Sequence, residues 1–139
     1  MAEKGHRTMP HTADLRIEAW AESREECLTE ALRGLIGCFA QSRGTPVLRV
    51  TELPVMADNH ADVLASAADE IIYLLDADRE IPISVQARPV SGGVVLVFAL
   101  AAADAVEITG AVPKAVSLHG VSCEPDAAGR WSASMTVHV

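Results

Sequence analysis

Aromatic residues are scarce in this chain, at 4% of 139 residues. A core must then be built from Ala, Val, Leu and Ile, and the stacking platforms used to hold single-stranded nucleic acid are nearly absent. Positive charge is also sparse: 11 Lys and Arg stand against 19 Asp and Glu, for a net charge of -8. Neutralising phosphates needs clustered cations, so a simple nucleic-acid sleeve is excluded. No long hydrophobic run occurs. The most apolar stretch, Val94 to Ala103, is about half of the ~20 residues a spanning helix needs. MAEKGHRTMPHTAD at the N-terminus has no hydrophobic segment, so no signal peptide is read there, and a reducing, cytoplasmic location is expected. The three cysteines, Cys27, Cys38 and Cys123, form no CxxC or zinc pattern. Cys27 and Cys38 fall on one expected helix about 16 Å apart along its axis, beyond the roughly 7 Å reach of a disulfide. Free, buried or half-buried thiols are expected. P-loop, GxGxxG, GxSxG and HExxH motifs are all missing.

What is present suits one folded domain. Half the residues are apolar, enough for a packed core, and the acidic balance favours a basic partner, a cationic ligand or a metal. Residues 1–9 show no pattern and read as a loose tail, with the domain over 10–139. Leu15, Ile17 and Ala19 alternate with Arg16, Glu18 and Trp20, which predicts a half-buried strand. Ser23 opens a helix with Glu26 completing a capping box, and Leu28, Ala31, Leu32, Leu35, Ile36 and Phe39 follow at helical spacing. Val47 to Met56 reads as a strand, made an edge or cut short by Pro54. Asp58 or Asn59 caps a second helix whose buried face runs from Val63 to Leu75. Its carboxylates, Asp62, Asp69, Glu70, Asp76 and Asp78, read as a solvated face. Ile81–Val90 and Val94–Ala101 flank the turn Ser91-Gly92-Gly93; Lys114–Glu124 and Arg130–His138 flank a second turn. Residues 102–113 read as a loop or a short extra strand. The order predicts an α+β fold in two layers, two helices on one face of a largely antiparallel sheet. Strand-helix-strand occurs twice, which hints at a duplicated unit.

The candidates for chemistry are polar residues near strand ends. His11, Thr12 and Asp14 cluster before the first strand; each also fits a turn or a cap. Lys114 begins a strand with the parity of Val116 and Leu118, so its ammonium must snorkel or find a partner. His119 lies within that strand. His138 falls on the polar side of the last strand with Ser132, Ser134 and Thr136, and the carboxylate of Val139 follows it.

Three segments taken together carry a resemblance. Met9-Pro10-His11-Thr12-Ala13-Asp14-Leu15 resembles the His-Thr-Ala-Asp signature of the archease family. Asp69-Glu70-Ile71-Ile72-Tyr73-Leu74-Leu75-Asp76 resembles that family's Glu-Leu-Leu-Tyr-Leu helix. Pro113-Lys114-Ala115-Val116-Ser117-Leu118-His119-Gly120-Val121 is similar to its Lys-Ala-Val-Thr-Tyr-His-Gly-Leu motif. The resemblance runs from about residue 9 to residue 139. It implies a protein cofactor, not an enzyme, that promotes guanylylation and multiple turnover of an RtcB-type RNA ligase in tRNA splicing and RNA repair. The partner would be that ligase, with RNA met only indirectly and no membrane involved. Implied functional residues are Lys114, His119 and His11. Implied metal ligands are Asp14, the position of His138, and Val139, with calcium as the ion. The family usually carries aspartate where this chain has His138, and imidazole is a poor calcium ligand that suits first-row metals. Leu118 stands where tyrosine is usual, and Ala67 or a neighbour where tryptophan is. Two other readings remain: a stand-alone metal-dependent hydrolase, which wants a denser set of reacting groups, and a general chaperone or binding module for another RNA-processing or tRNA-modification enzyme.

Overall fold

Polar and apolar residues alternate along Asp14–Ala21 and again along Trp131–His138, and the two segments pair with each other. A computed structural model describes residues 3–11 and 14–139, and the backbone alone at 9–11. The elements run β1 (Gly5–His11), β2 (Asp14–Ala21), α1 (Arg24–Gly37), β3 (Ala40–Gln41), β4 (Arg49–Met56) and α2 (His60–Tyr73). They continue with β5 (Glu80–Val90), β6 (Gly93–Ala102), β7 (Glu107–Ile108), β8 (Ala115–Val116), β9 (Ser122–Pro125) and β10 (Trp131–His138). A π-helical turn, Leu74–Asp78, extends α2 and is closed by Arg79 in the left-handed region (φ 57°).

All pairings are antiparallel. One sheet has the order β1-β2-β10-β8, with β9 also on β10; a second has the order β4-β6-β5; β3 and β7 form a short separate ladder. The α+β fold with antiparallel strands is therefore as expected, but the strands divide over three sheets instead of one. The helices join the two larger sheets. Helix α1 packs on β2 and β1 on one side and on β5 on the other; α2 packs on β8 and β9 and on β4 and β6.

Each helix starts where the sequence predicts. The Ser23 hydroxyl accepts a hydrogen bond from the Glu26 amide at 3.1 Å, and Asn59 Oδ1 accepts from the Asp62 amide at 2.9 Å. These caps satisfy amides that have no partner within the helix. One core runs between the sheets: Ile17 and Met135 from one, Leu96, Phe98 and Leu100 from the other, Leu28, Leu32, Leu35, Leu64 and Ile71 from the helices, all fully buried. Burying each such side chain is worth about 1.5–3 kcal/mol. Phe39, Ala40, Ile81, Ala101 and Val106 make a smaller cluster beneath the β3–β7 ladder.

Two expectations are corrected. Residues 5–9 belong to β1, not to a loose tail: β1 satisfies the outer backbone edge of β2, and His6 Nδ1 lies 3.0 Å from the buried Glu30 carboxylate on α1. A Cβ at Gly5 would stand 2.8 Å from the Trp20 ring, so a larger residue there would have to displace that ring. Lys114–Glu124 is not one strand. β8 and β9 both pair with β10, but residues 117–121 loop outward between them through Gly120 (φ 76°), leaving Leu118 81% exposed. His119 is therefore a loop residue. Of the two readings left open for 102–113, the short extra strand is present as β7, preceded by a 3-10 turn (Ala103–Ala105). Other readings hold. Pro54 lies on an edge strand, β4, and all three cysteines are free. Cys38 is half-buried, and burial pushes its thiol up. Cys27 is raised further by its hydrogen bond with Cys123 and by burial.

Candidate functional site

Strand register builds the site. Asp14 begins β2 and is directly opposite His138 near the end of β10. Alternation along both strands puts the pair on the outer face, away from the core that Ile17, Met135 and Val137 fill. His138 Nδ1 lies 2.8 Å from Asp14 Oδ1. A carboxylate oxygen only accepts, so Nδ1 donates and Nε2 is the nitrogen left over. Both side chains are partly open to solvent, 46% for His138 and 30% for Asp14.

The Lys114 amide donates to the His138 carbonyl at 2.7 Å, and Ala115 is opposite His138 in the β8–β10 ladder. The backbone thus fixes Lys114 at the same end of the sheet, while its exposed ammonium has no ion-pair partner among the described residues. Val139 follows directly, its side chain half-buried against the core. The structure therefore brings Asp14, His138, Lys114 and Val139 to one sheet end. His119 is not drawn in: it is exposed on the 117–121 loop, its amide donating to the Ser117 hydroxyl at 3.2 Å. The backbone of His11 occupies the register position opposite Asp14 on the β1 side. The His11 side chain and all of Thr12 lie outside the described residues.

Farther along this polar face, Arg16, Glu18, Ser122 and Ser134 pair with one another. Arg16 reaches the Ser134 hydroxyl at 3.3 Å and the Glu18 carboxylate at 3.7 Å, and the Ser122 and Ser134 hydroxyls share a bond of 2.9 Å. Beside Lys114 opens a groove of about 990 Å³, floored by apolar side chains that include Leu48, Ile72, Ile108 and Val112. At its base the buried Glu80 carboxylate takes two oxygens' worth of hydrogen bonds from Arg49, at 2.6 Å and 3.0 Å. The Arg49 guanidinium holds Glu80 below its usual carboxylate range. The sequence reading missed this groove. Its signal was faint: apolar residues at 108 and 112 in a segment with no period.

The donor set can be tested against a calcium ion, which takes six to eight oxygens. Asp14 supplies a carboxylate, but its neighbour is a nitrogen ligand. Among the described residues no three His, Cys, Asp or Glu side chains group to hold a metal. Calcium does not fit this pair. An imidazole beside a carboxylate suits a borderline first-row ion better.

Fold and site define a small two-helix α+β protein whose polar candidates meet where its first complete strand and its last strand run side by side. The chain belongs to the archease family: residues 6–139 match the Archease protein family (MTH1598/TM1083). It is 39% identical over 135 residues to a "Probable protein archease" of Mycobacterium tuberculosis, in two strains, across 97% of this chain and 75% of the relative. Its fold matches the solution structure of Methanobacterium thermoautotrophicum Protein 1598 with a TM-score of 0.71, covering 97% of this chain and 99% of that one at 17% identity. No helix among the described residues is long and apolar enough to cross a membrane.

Proposed function

We propose that this protein activates an RtcB-type RNA ligase in the cytoplasm, promoting guanylylation of the ligase and its repeated turnover in tRNA splicing and RNA repair. The observation that carries the reading is the meeting of Asp14, His138 and Lys114 at one exposed sheet end, in a chain of the archease family. An unpaired, flexible ammonium can meet a phosphate, a nucleotide or a partner carboxylate. The net charge of -8 suits approach to a basic RNA-binding cleft while RNA is absent. RNA itself is then met only through the ligase. Calcium plays no part in the proposal with this donor set.

The test uses purified ligase, GTP, and RNA ends bearing a 2′,3′-cyclic phosphate and a 5′-hydroxyl. Adding this protein should convert a single round of joining into many. No gain in turnover would overturn the reading. Lys114→Ala should lose at least about tenfold of that gain, equivalent to about 1.4 kcal/mol, with an unchanged melting temperature because the side chain is exposed and unpaired. His138→Asp should create calcium binding measurable by titration calorimetry, since it replaces a nitrogen by carboxylate oxygens. Equal heats for the two proteins would remove position 138 from any metal site.

A further inference from the structure

The groove beside Lys114 is not used by anything described so far. It lies between the π-helical turn after α2, the starts of β4 and β5, the end of β6, and the 108–114 segment. Leu48, Ile108 and Val112 line it and are 62%, 48% and 43% exposed, three of the large apolar side chains that the fold leaves in water. Contiguous exposed apolar surface rimmed by polar groups marks an interaction site. Its rim is acidic on balance: Asp76, Asp78 and Asp104 stand against Arg79 and Lys114. Glu80 is held by Arg49, which also comes within 3.8 Å of Asp78. Asp76 and Asp104 have no side-chain partner among the described residues.

We infer that this groove docks an amphipathic basic segment of the partner protein, apolar side chains on its floor and Lys or Arg against Asp76 and Asp104. The inference rests on the proposed role as a ligase activator and names the surface through which the partner is held. Charge selects this occupant. The unpaired Asp76 and Asp104 carboxylates disfavour an RNA backbone or an anionic lipid surface, and above an apolar floor they attract a cation on an apolar stem. Position supports it as well. Lys114 belongs both to the groove lining and, through its amide, to the end of β10 that carries His138. A segment seated in the groove therefore brings its own protein against the Asp14–His138 pair, and affinity and activation become separable along one continuous surface.

The experiment measures ligase binding and ligase turnover for the full-length protein. Ile108→Asp and Val112→Asp place charge on the exposed floor. Each should raise the Kd for the ligase at least tenfold while leaving the turnover gain at saturating protein near that of the wild type. Asp76→Lys with Asp104→Lys should weaken binding at low salt, and the loss should shrink as salt is raised. Lys114→Ala should show the opposite split, a lost turnover gain with Kd changed much less. Because these positions are exposed, circular dichroism and melting temperature should match the wild type and certify the fold. If the wild type activates the ligase and the floor variants bind it within twofold of wild type, the groove assignment is overturned and the activator role stands. If the wild type neither binds nor activates, the role falls and this occupant with it. A wild-type dimer in sedimentation that Ile108→Asp dissociates would assign the groove to a second copy and overturn the proposal.

Discussion

The two larger sheets use the same strand chemistry differently. β10 alternates without a break: Ala133, Met135 and Val137 are buried while Ser132, Ser134, Thr136 and His138 face outward. β6 is apolar on both faces. Val94, Leu96, Phe98 and Leu100 fill the core, and Val95, Val97 and Ala99 are half-buried on the other side. That second face is roofed by charges from the flanking strands, with Arg88 of β5 meeting Glu52 of β4 at 3.2 Å across the centre strand. Arg49 and Glu80 also tie β4 to β5, but their register opposite Leu100 and Ala102 puts them on the other face, at the groove. In the five-stranded sheet the outward charges pair between immediate neighbours, as Asp14 and His138 do, and leave a polar surface open. The three-stranded sheet thus ties its flanking strands across its outer face, while Val50 stays 63% exposed there. The five-stranded one offers a face for contact, which is why the candidate site is found there.

This contrast can be broken most strongly in the shared core. Phe98→Ala should destabilise by about 3–5 kcal/mol, read from denaturant midpoints, because Phe98 is fully buried. Met135→Ala on β10 should cost about 2–5 kcal/mol. If only one of the two were costly, the sheets would not share one core. Arg49→Ala sharpens the comparison through pH. Glu80 has its folded pKa lowered from 4.5, so its contribution is complete above that value and is lost as pH falls through the lower folded one. Arg49→Ala should flatten the loss of stability below about pH 4.5. An acid limb in Arg49→Ala as steep as the wild type's would show that the tie is not coupled to folding. The smallest effect belongs to the open face: Ser132→Ala should stay within about 0.5 kcal/mol by thermal melting, as its side chain is exposed and has no partner among the described residues.

Local pattern read most of the elements. Helix starts at Ser23 and Asn59, the edge position of Pro54 and the polar side of β10 all follow from groups that act within a few residues: a cap's oxygen, a missing N–H, a period of two. Errors arose where the partner was distant. Residues 5–9 carry no apolar period, yet they become a strand because β2 needs an outer neighbour and Glu30 needs His6. Lys114–Glu124 reads as one strand because its alternation continues through Leu118, but the turn at Gly120 carries that leucine into solvent. The candidate site divides in the same way. Asp14, Lys114 and His138 were each visible as polar residues at strand ends, and the position of His119 was misjudged with its strand.

Charge, capping and period are local properties, and they already specify an acidic, aromatic-poor domain with two capped helices and alternating strands. That Asp14 lies opposite His138, that the Lys114 amide is tied to the His138 carbonyl, and that a groove opens between segments far apart in the chain are products of long-range packing. Those facts depend on strand order and register, which the burial of one common core selects and which no window of sequence contains.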